Sequence, residues 1–235
     1  MKKIFWAVLF FLSAVVFSGA AGIAEEAEKG NAKADMSYAF GMIIADDLKE
    51  TGLEFNYDAF IRGFRDTMEN RKTLYSMDEA GDKINAAFMA VQEEIGQRNK
   101  EEGEVFLAEN ALKPGIVITP SGLQLEVISE GSGEMPGPAD RVLVHYQGAT
   151  IDGSVFDSTY ERDEPMWIPL DRVIPGWSEG LRMINEGSKA ILYIPPSLAY
   201  GENGAGNAIG PNAVLIFNVE LLEIMRPDLD DEEND

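Results

Sequence analysis

At 235 residues, with 45% apolar and 26% charged side chains, the chain has the composition of a folded globular protein and enough length for two modest cores. Its formal net charge of -22 repels phosphate backbones, and basic residues never run past a pair, which excludes nucleic acid as a partner. There is no cysteine and a single histidine, His145, so zinc, haem and iron–sulfur sites lack their usual ligands, no disulfide forms, and no cofactor is expected.

In chain order, Lys2 and Lys3 precede an apolar stretch from Ile4 to Phe17, and small residues follow from Ser18 to Ala24. That order belongs to a secretory signal peptide, and the apolar stretch is short for a membrane span. Small residues at Ser18, Ala20, Gly22 and Ala24 leave two cleavage sites open. The expectation is a signal peptide over residues 1–24, its removal on export, no stable membrane insertion afterwards, and a final location in the periplasm, outside the cell or on its outer surface. An uncleaved anchor is the alternative.

Apolar residues then recur at helical spacing. Met36, Phe40, Ile43, Ile44 and Leu48 form one stripe, ended by Gly52; Tyr57, Phe60, Ile61, Phe64 and Met68 form a second, with Asn56 as N-cap. Ser76 and Glu79 have capping-box spacing, and Ile84, Phe88, Val91 and Ile95 follow at coiled-coil intervals. Beyond Ile95 the stripe stops. Arg98, Asn99, Lys100, Glu101, Glu102 and Glu104 predict a helical stalk solvated on all sides, with bends at Gly96 and Gly103 and an end at Pro114 and Gly115. Residues 25–95 are thus a helical region and 96–113 a stalk. The helical region either forms a small monomeric bundle or packs its stripes against a second copy.

After Pro114 the period changes to two. Leu123, Leu125 and Val127 alternate with Gln124 and Glu126, Val142, Val144 and Tyr146 share one strand face, Ala190, Leu192 and Ile194 share another, and Leu215, Phe217, Val219 and Leu221 complete the set. One short helical stretch lies between Pro175 and Glu186, with Trp177, Leu181 and Ile184 on one side. The fold class is α+β: helices first, then a curved antiparallel sheet with one helix against its concave face over residues 114–227. The acidic residues 228–235 read as a disordered tail. His145 sits out of phase with Val144 and Tyr146 and belongs to the outer strand surface. No G-x-S-x-G occurs, and Gly201 to Gly206 lacks the lysine of a phosphate loop, so it reads as a flexible loop.

What remains is a concentration of Tyr146, Phe156, Val173, Ile174, Trp177, Tyr200 and Phe217 at strand ends and loops. Periodicity leaves a plain core and a binding pocket both open. Motifs in this half carry a resemblance, however. Val144 to Gly148, Phe156 to Ser158, Val173 to Leu181, Ile194 to Gly201 and Leu215 to Leu222 resemble, in order, the segments of FKBP-type peptidyl-prolyl cis/trans isomerases. With the helical region before it, the chain is similar to the macrophage infectivity potentiator-like branch of exported bacterial members.

That resemblance implies isomerisation of X-Pro bonds in exported polypeptides, assisting their folding, by a homodimer joined through its amino-terminal helices. It implies Trp177 as a floor under the proline ring, and Tyr146, Phe156, Val173, Ile174 and Phe217 as walls. It also implies Asp157 and Tyr200 at the mouth, Arg162 steadying Asp157, the Ile174 N–H on a substrate carbonyl, and Ile209 beside the pocket. Met166 and Ala208 depart from the family's commoner, larger apolar residues, which touches substrate preference and the binding of macrolide inhibitors. A binding module or chaperone of the same fold with little isomerase activity is the alternative.

Overall fold

The computed structural model describes residues 20–49 and 51–226. The expected signal segment lies outside the described residues as far as residue 19, and its last residues, from Ala20, open a helix; the expected acidic tail lies outside them altogether. Two compact units divide the chain after Gly52.

The first unit contains α1 (Ala20–Lys49), which closes where Gly52 takes a φ of +69°. The predicted stripe lies on this helix, with Phe40 and Ile43 exposed. In the second unit α2 (Tyr57–Met68) starts as its sequence demands: the Asn56 side chain accepts a 2.9 Å hydrogen bond from the Ala59 N–H. Phe55, just before the cap, meets Phe60 edge to face, a hydrophobic staple that fixes the angle of the incoming chain.

Helix α3 (Met77–Asn110) opens on the predicted capping box, the Ser76 hydroxyl accepting from the Glu79 N–H while the Ser76 N–H donates to the Glu79 carboxylate. Its first half leaves Met77, Ile84 and Met89 exposed. The second half does not stand free in solvent as its charges predict. Gly96, Gly103 and Asn110, seven residues apart, are buried against the sheet domain. The glycines that read as bending points are contact points: a Cβ on Gly103 would fall 2.7 Å from Val214, and one on Gly96 would fall 3.1 Å from Pro211. Asn110 Nδ2 donates to the Gln124 side-chain Oε1 at 2.8 Å, Gln124 Nε2 donates to the Leu107 backbone carbonyl, and Phe106 packs on Tyr193. Gln124, which alternation assigns to solvent, is therefore 4% exposed, whereas Val127 is 38% exposed.

The sheet runs in the order β1 (Ile116–Ile118), β2 (Gln124–Ser129), β6 (Lys189–Ile194), β7 (Leu215–Met225), β3 (Arg141–Thr150) and β4 (Val155–Ser158), with β5 (Met166–Pro169) also paired to β3. All pairings are antiparallel. Val142, Val144 and Tyr146 of β3 share the inward face with Leu192 and Ile194 of β6 and Phe217, Val219 and Leu221 of β7, all buried. Against them lies α4 (Pro175–Leu181), burying Trp177 and Leu181. Two glycines permit the close approach: a Cβ on Gly176 would sit 2.3 Å from Ile194, and one on Gly180 would sit 2.6 Å from Leu192. The α+β architecture read from the sequence is the one observed. Gly201 to Gly206 is more ordered than its glycines imply, with a 3-10 turn at Gly201–Asn203 and a bridge from Ala205 to Ile209.

Candidate active site

Where the inward ends of β3, β4, β5 and β7 meet the start of α4, a cavity of about 730 Å3 opens to solvent. Its base is Trp177, carried on the first turn of α4 and 4% exposed. Tyr146 and Phe217 stand edge-on to the indole, with ring centroids at 4.9 and 5.0 Å, and Phe156 stands edge-on to Phe217 at 5.5 Å. The sequence makes room for this box at Gly148 on β3, where a Cβ would fall 2.6 Å from Phe217 and 2.7 Å from Phe156. Such edge-to-face packing fixes the rings and leaves an apolar, concave surface. The Trp177 Nε1 is buried without a hydrogen-bond partner among the described residues.

One polar group dominates the mouth. Both oxygens of the Asp157 carboxylate are engaged, one accepting from the Tyr146 hydroxyl and the other from Arg162 Nη1 at 2.8 Å. Burial works against ionisation of Asp157, but the hydrogen bonds from Tyr146 and Arg162, with the guanidinium charge, outweigh it and hold the carboxyl below its ordinary range. Burial, reinforced by the neighbouring carboxylate, pushes the Tyr146 hydroxyl up to about 12. Asp157 is thus an anion and Tyr146 a neutral donor at physiological pH.

Of the residues singled out from the sequence, Tyr146, Phe156, Asp157, Met166, Val173, Ile174, Trp177, Tyr200, Ile209 and Phe217 all line this one cavity. Arg162 reaches it through Asp157. Tyr200 and Met166 are 41% and 42% exposed at the rim. Ala208 is not part of the lining, although its neighbour Ile209 is. Sequence reasoning missed Trp167, Ile168, Pro169 and Arg172, which line the side formed by β5 and the 3-10 turn Leu170–Arg172. Ile168 alternating with Met166 is a two-residue signal, too short to mark a strand by periodicity.

His145 lies on the opposite face of β3, its ring stacked on Tyr160 at 4.5 Å and its Nδ1 within 2.8 Å of the Thr159 hydroxyl. It takes no part in lining the cavity.

Two family signatures divide the chain: FKBP-type peptidyl-prolyl cis-trans isomerase matches residues 132–222, and the domain amino terminal to FKBP-type peptidyl-prolyl isomerase matches residues 33–127. The chain is 44% identical over 197 residues to the FKBP-type 22 kDa peptidyl-prolyl cis-trans isomerase of Escherichia coli, covering 82% of this chain and 96% of that one. It is 36% identical over 201 residues to the outer membrane protein MIP of Legionella longbeachae, covering 83% and 86%. The crystal structure of FkpA from Escherichia coli superposes with a TM-score of 0.69 at 33% identity, over 83% of this chain and 95% of that one.

Proposed function

Because the chain belongs to the FKBP-type peptidyl-prolyl cis/trans isomerases, in the branch with an amino-terminal helical domain, we propose that its X-Pro isomerisation takes place in the aromatic cavity under Asp157. The observation that carries this assignment is the convergence of an apolar box on Trp177 with one locked, ionised carboxylate at its mouth.

Rotation about an X-Pro bond is opposed by amide resonance, a barrier of about 18 to 20 kcal/mol. A planar amide is more polar than its twisted form, so transfer from water to an apolar cavity disfavours the ground state more than the transition state. The proline ring would lie on Trp177 between Tyr146, Phe156, Val173 and Phe217, with the substrate carbonyl on the Ile174 N–H. Tyr200 and Asp157 would face the turning amide at the mouth. Asp157 has both oxygens committed and no proton to give at neutral pH, which points to an electrostatic and positioning role rather than acid–base catalysis. Lowering the barrier by about 7 kcal/mol would accelerate the reaction by roughly five powers of ten. No bond to the protein forms at any step.

We read residues 25–95 as a dimerisation region, 96–113 as a joint and 114–227 as the isomerase domain. The exposed Phe40 and Ile43 of α1, Phe60, Ile61 and Phe64 of α2, and Ile84 of α3 support assembly through a second copy, since isolated apolar helix faces of this extent rarely stay in water. Among the described residues no helix is long and apolar enough to cross a membrane. The charged and apolar order of residues 2–17 supports export, to the periplasm or the outer surface, where unfolded proline-containing chains are the substrates. Macrolide ligands of the family would compete in the same cavity, with Met166 setting one wall.

The test is a protease-coupled assay of the full-length protein on a short X-Pro peptide. Asp157→Ala is expected to lower kcat/KM by roughly tenfold or more, the scale of one charge-assisted hydrogen bond, and Phe156→Ala to lower it through the lost apolar wall, with melting temperature little changed in either. Wild-type kcat/KM in both variants would mean that the reaction occurs elsewhere.

A further inference from the structure

The wall of the cavity that carries Ile209 lies outside the strand ladder. Ile209 closes a tight loop in which the Ala205 N–H donates to the Ile209 carbonyl at 2.8 Å and the Ile209 N–H donates back at 3.2 Å. The next five residues, Gly210 to Val214, run along α3. A Cβ on Gly210 would fall 3.0 Å from both Ile95 and Asn99 of the helix. Asn99 Nδ2 donates to the Pro211 carbonyl at 2.8 Å, and Asn212 Nδ2 donates to the Gly96 carbonyl at 3.2 Å. Val214, 2% exposed, is seated over Gly103. The loop is also closed at its base, because the Asn212 N–H donates to the Gly201 carbonyl, one residue beyond Tyr200 of the rim.

We propose that α3 positions the active-site wall: Asn99, with the close approach permitted at Gly96 and Gly103, fixes the loop that presents Ile209 and Tyr200 to the substrate. Asn99 is a positioning residue, since it touches the loop and not the cavity. Two reciprocal side-chain hydrogen bonds, one from each partner, clamp the Gly210–Val214 segment in one place along the helix. Displacing a substrate-contacting wall by about 1 Å is enough to change turnover, because the aromatic box and the mouth must grip the same bond at once. The inference rests on the assignment of catalysis to this cavity.

Three variants of the full-length protein separate positioning from general stability. Asn99→Leu keeps a good helix former and removes the donor to Pro211. Gly103→Ala favours the helix but drives a methyl group into Val214. Phe106→Ala loosens the same helix where it meets Tyr193 on β6, away from the loop. Two measurements are made on each: kcat/KM on an X-Pro peptide, and the position of the Ile209 methyl resonance, assigned through Ile209→Val.

The expected result is a threefold to tenfold fall in kcat/KM with a displaced Ile209 methyl signal in Asn99→Leu and Gly103→Ala, and neither change in Phe106→Ala. Equal losses in all three variants, an unmoved methyl signal, or a moved signal without a kinetic effect would each overturn the inference. A wild-type protein without isomerase activity would sink the assignment of the cavity instead. In that case the methyl signal still decides whether α3 holds the loop.

Discussion

Leu192 in the sheet domain and Phe64 on α2 are both large apolar side chains placed by regular periodicity, yet the first is fully buried and the second is 56% exposed. The sheet closes on α4, so each inward residue finds its partners within one chain. The helices before Gly96 carry equally regular stripes and leave them open. The contrast teaches that periodicity reports which face is apolar, and says nothing of whether this chain or another covers it.

The largest effect expected from that contrast is on stability. Leu192→Ala should cost about 2 to 5 kcal/mol, through lost transfer energy and the cavity left beneath Gly180, whereas Phe64→Ala should change the stability of a sample diluted to monomers by under about 0.5 kcal/mol. Denaturant unfolding of both variants measures this. Similar costs would erase the distinction between the two regions.

Next in size is assembly. Placing carboxylates in the α2 stripe, as in Phe60→Glu with Phe64→Glu, should halve the mass of the full-length protein in sedimentation at micromolar concentration. Peptide turnover should stay within about twofold, because neither Phe60 nor Phe64 lines the cavity. Refolding of a proline-limited protein should slow, since two linked pockets hold one chain at higher effective concentration. A wild-type protein that already sediments as a monomer would remove the reason for the open stripes.

The smallest expected effect is that of pH. Asp157 is held below its ordinary range, so the stabilisation from its ionised form is complete above about 4 and is lost only as pH falls through the lowered folded value. Tyr146 is raised to about 12, so its contribution is complete below the unfolded value of about 10 and is lost as pH rises towards 12. Between about pH 5 and 9 neither changes state, and kcat/KM should vary by less than about twofold. A limb inside that window would overturn the protonation states assigned to Asp157 and Tyr146.

Much of this was legible before any coordinates. Asn56, Ser76 and Glu79 announce their helix starts because capping is local chemistry, and the strands of the sheet declare their inward faces by alternation. The cavity residues could be grouped only through family resemblance, since Tyr146 and Phe217 obey the same alternation as the core residues Val144 and Val219. The docking of α3 escaped entirely, for a physical reason. Beside Ile95 and Phe106, its contact surface is Gly96, Asn99, Gly103 and Asn110, residues that carry no apolar signal, and burial at those four is achieved by close backbone approach and side-chain amide hydrogen bonds. For the same reason a boundary at Pro114 cuts between parts that touch: Phe106 and Gly103 cover Tyr193 and Val214 from the far side of that line.

The seven-residue interval of Gly96, Gly103 and Asn110 also makes α3 an angular scale. Each residue of an α-helix turns the chain by about 100° and advances it by about 1.5 Å. The isomerase domain is keyed to one side of the helix, so the compass bearing of its cavity, seen from the open stripe at Ile84 and Phe88, is set by the number of residues between them. One residue added between Phe88 and Gly96 would swing the cavity through more than a quarter turn while barely lengthening the arm, and seven would return it nearly to its bearing about 10 Å farther out. The direction in which the mouth of the cavity faces is therefore encoded as a count.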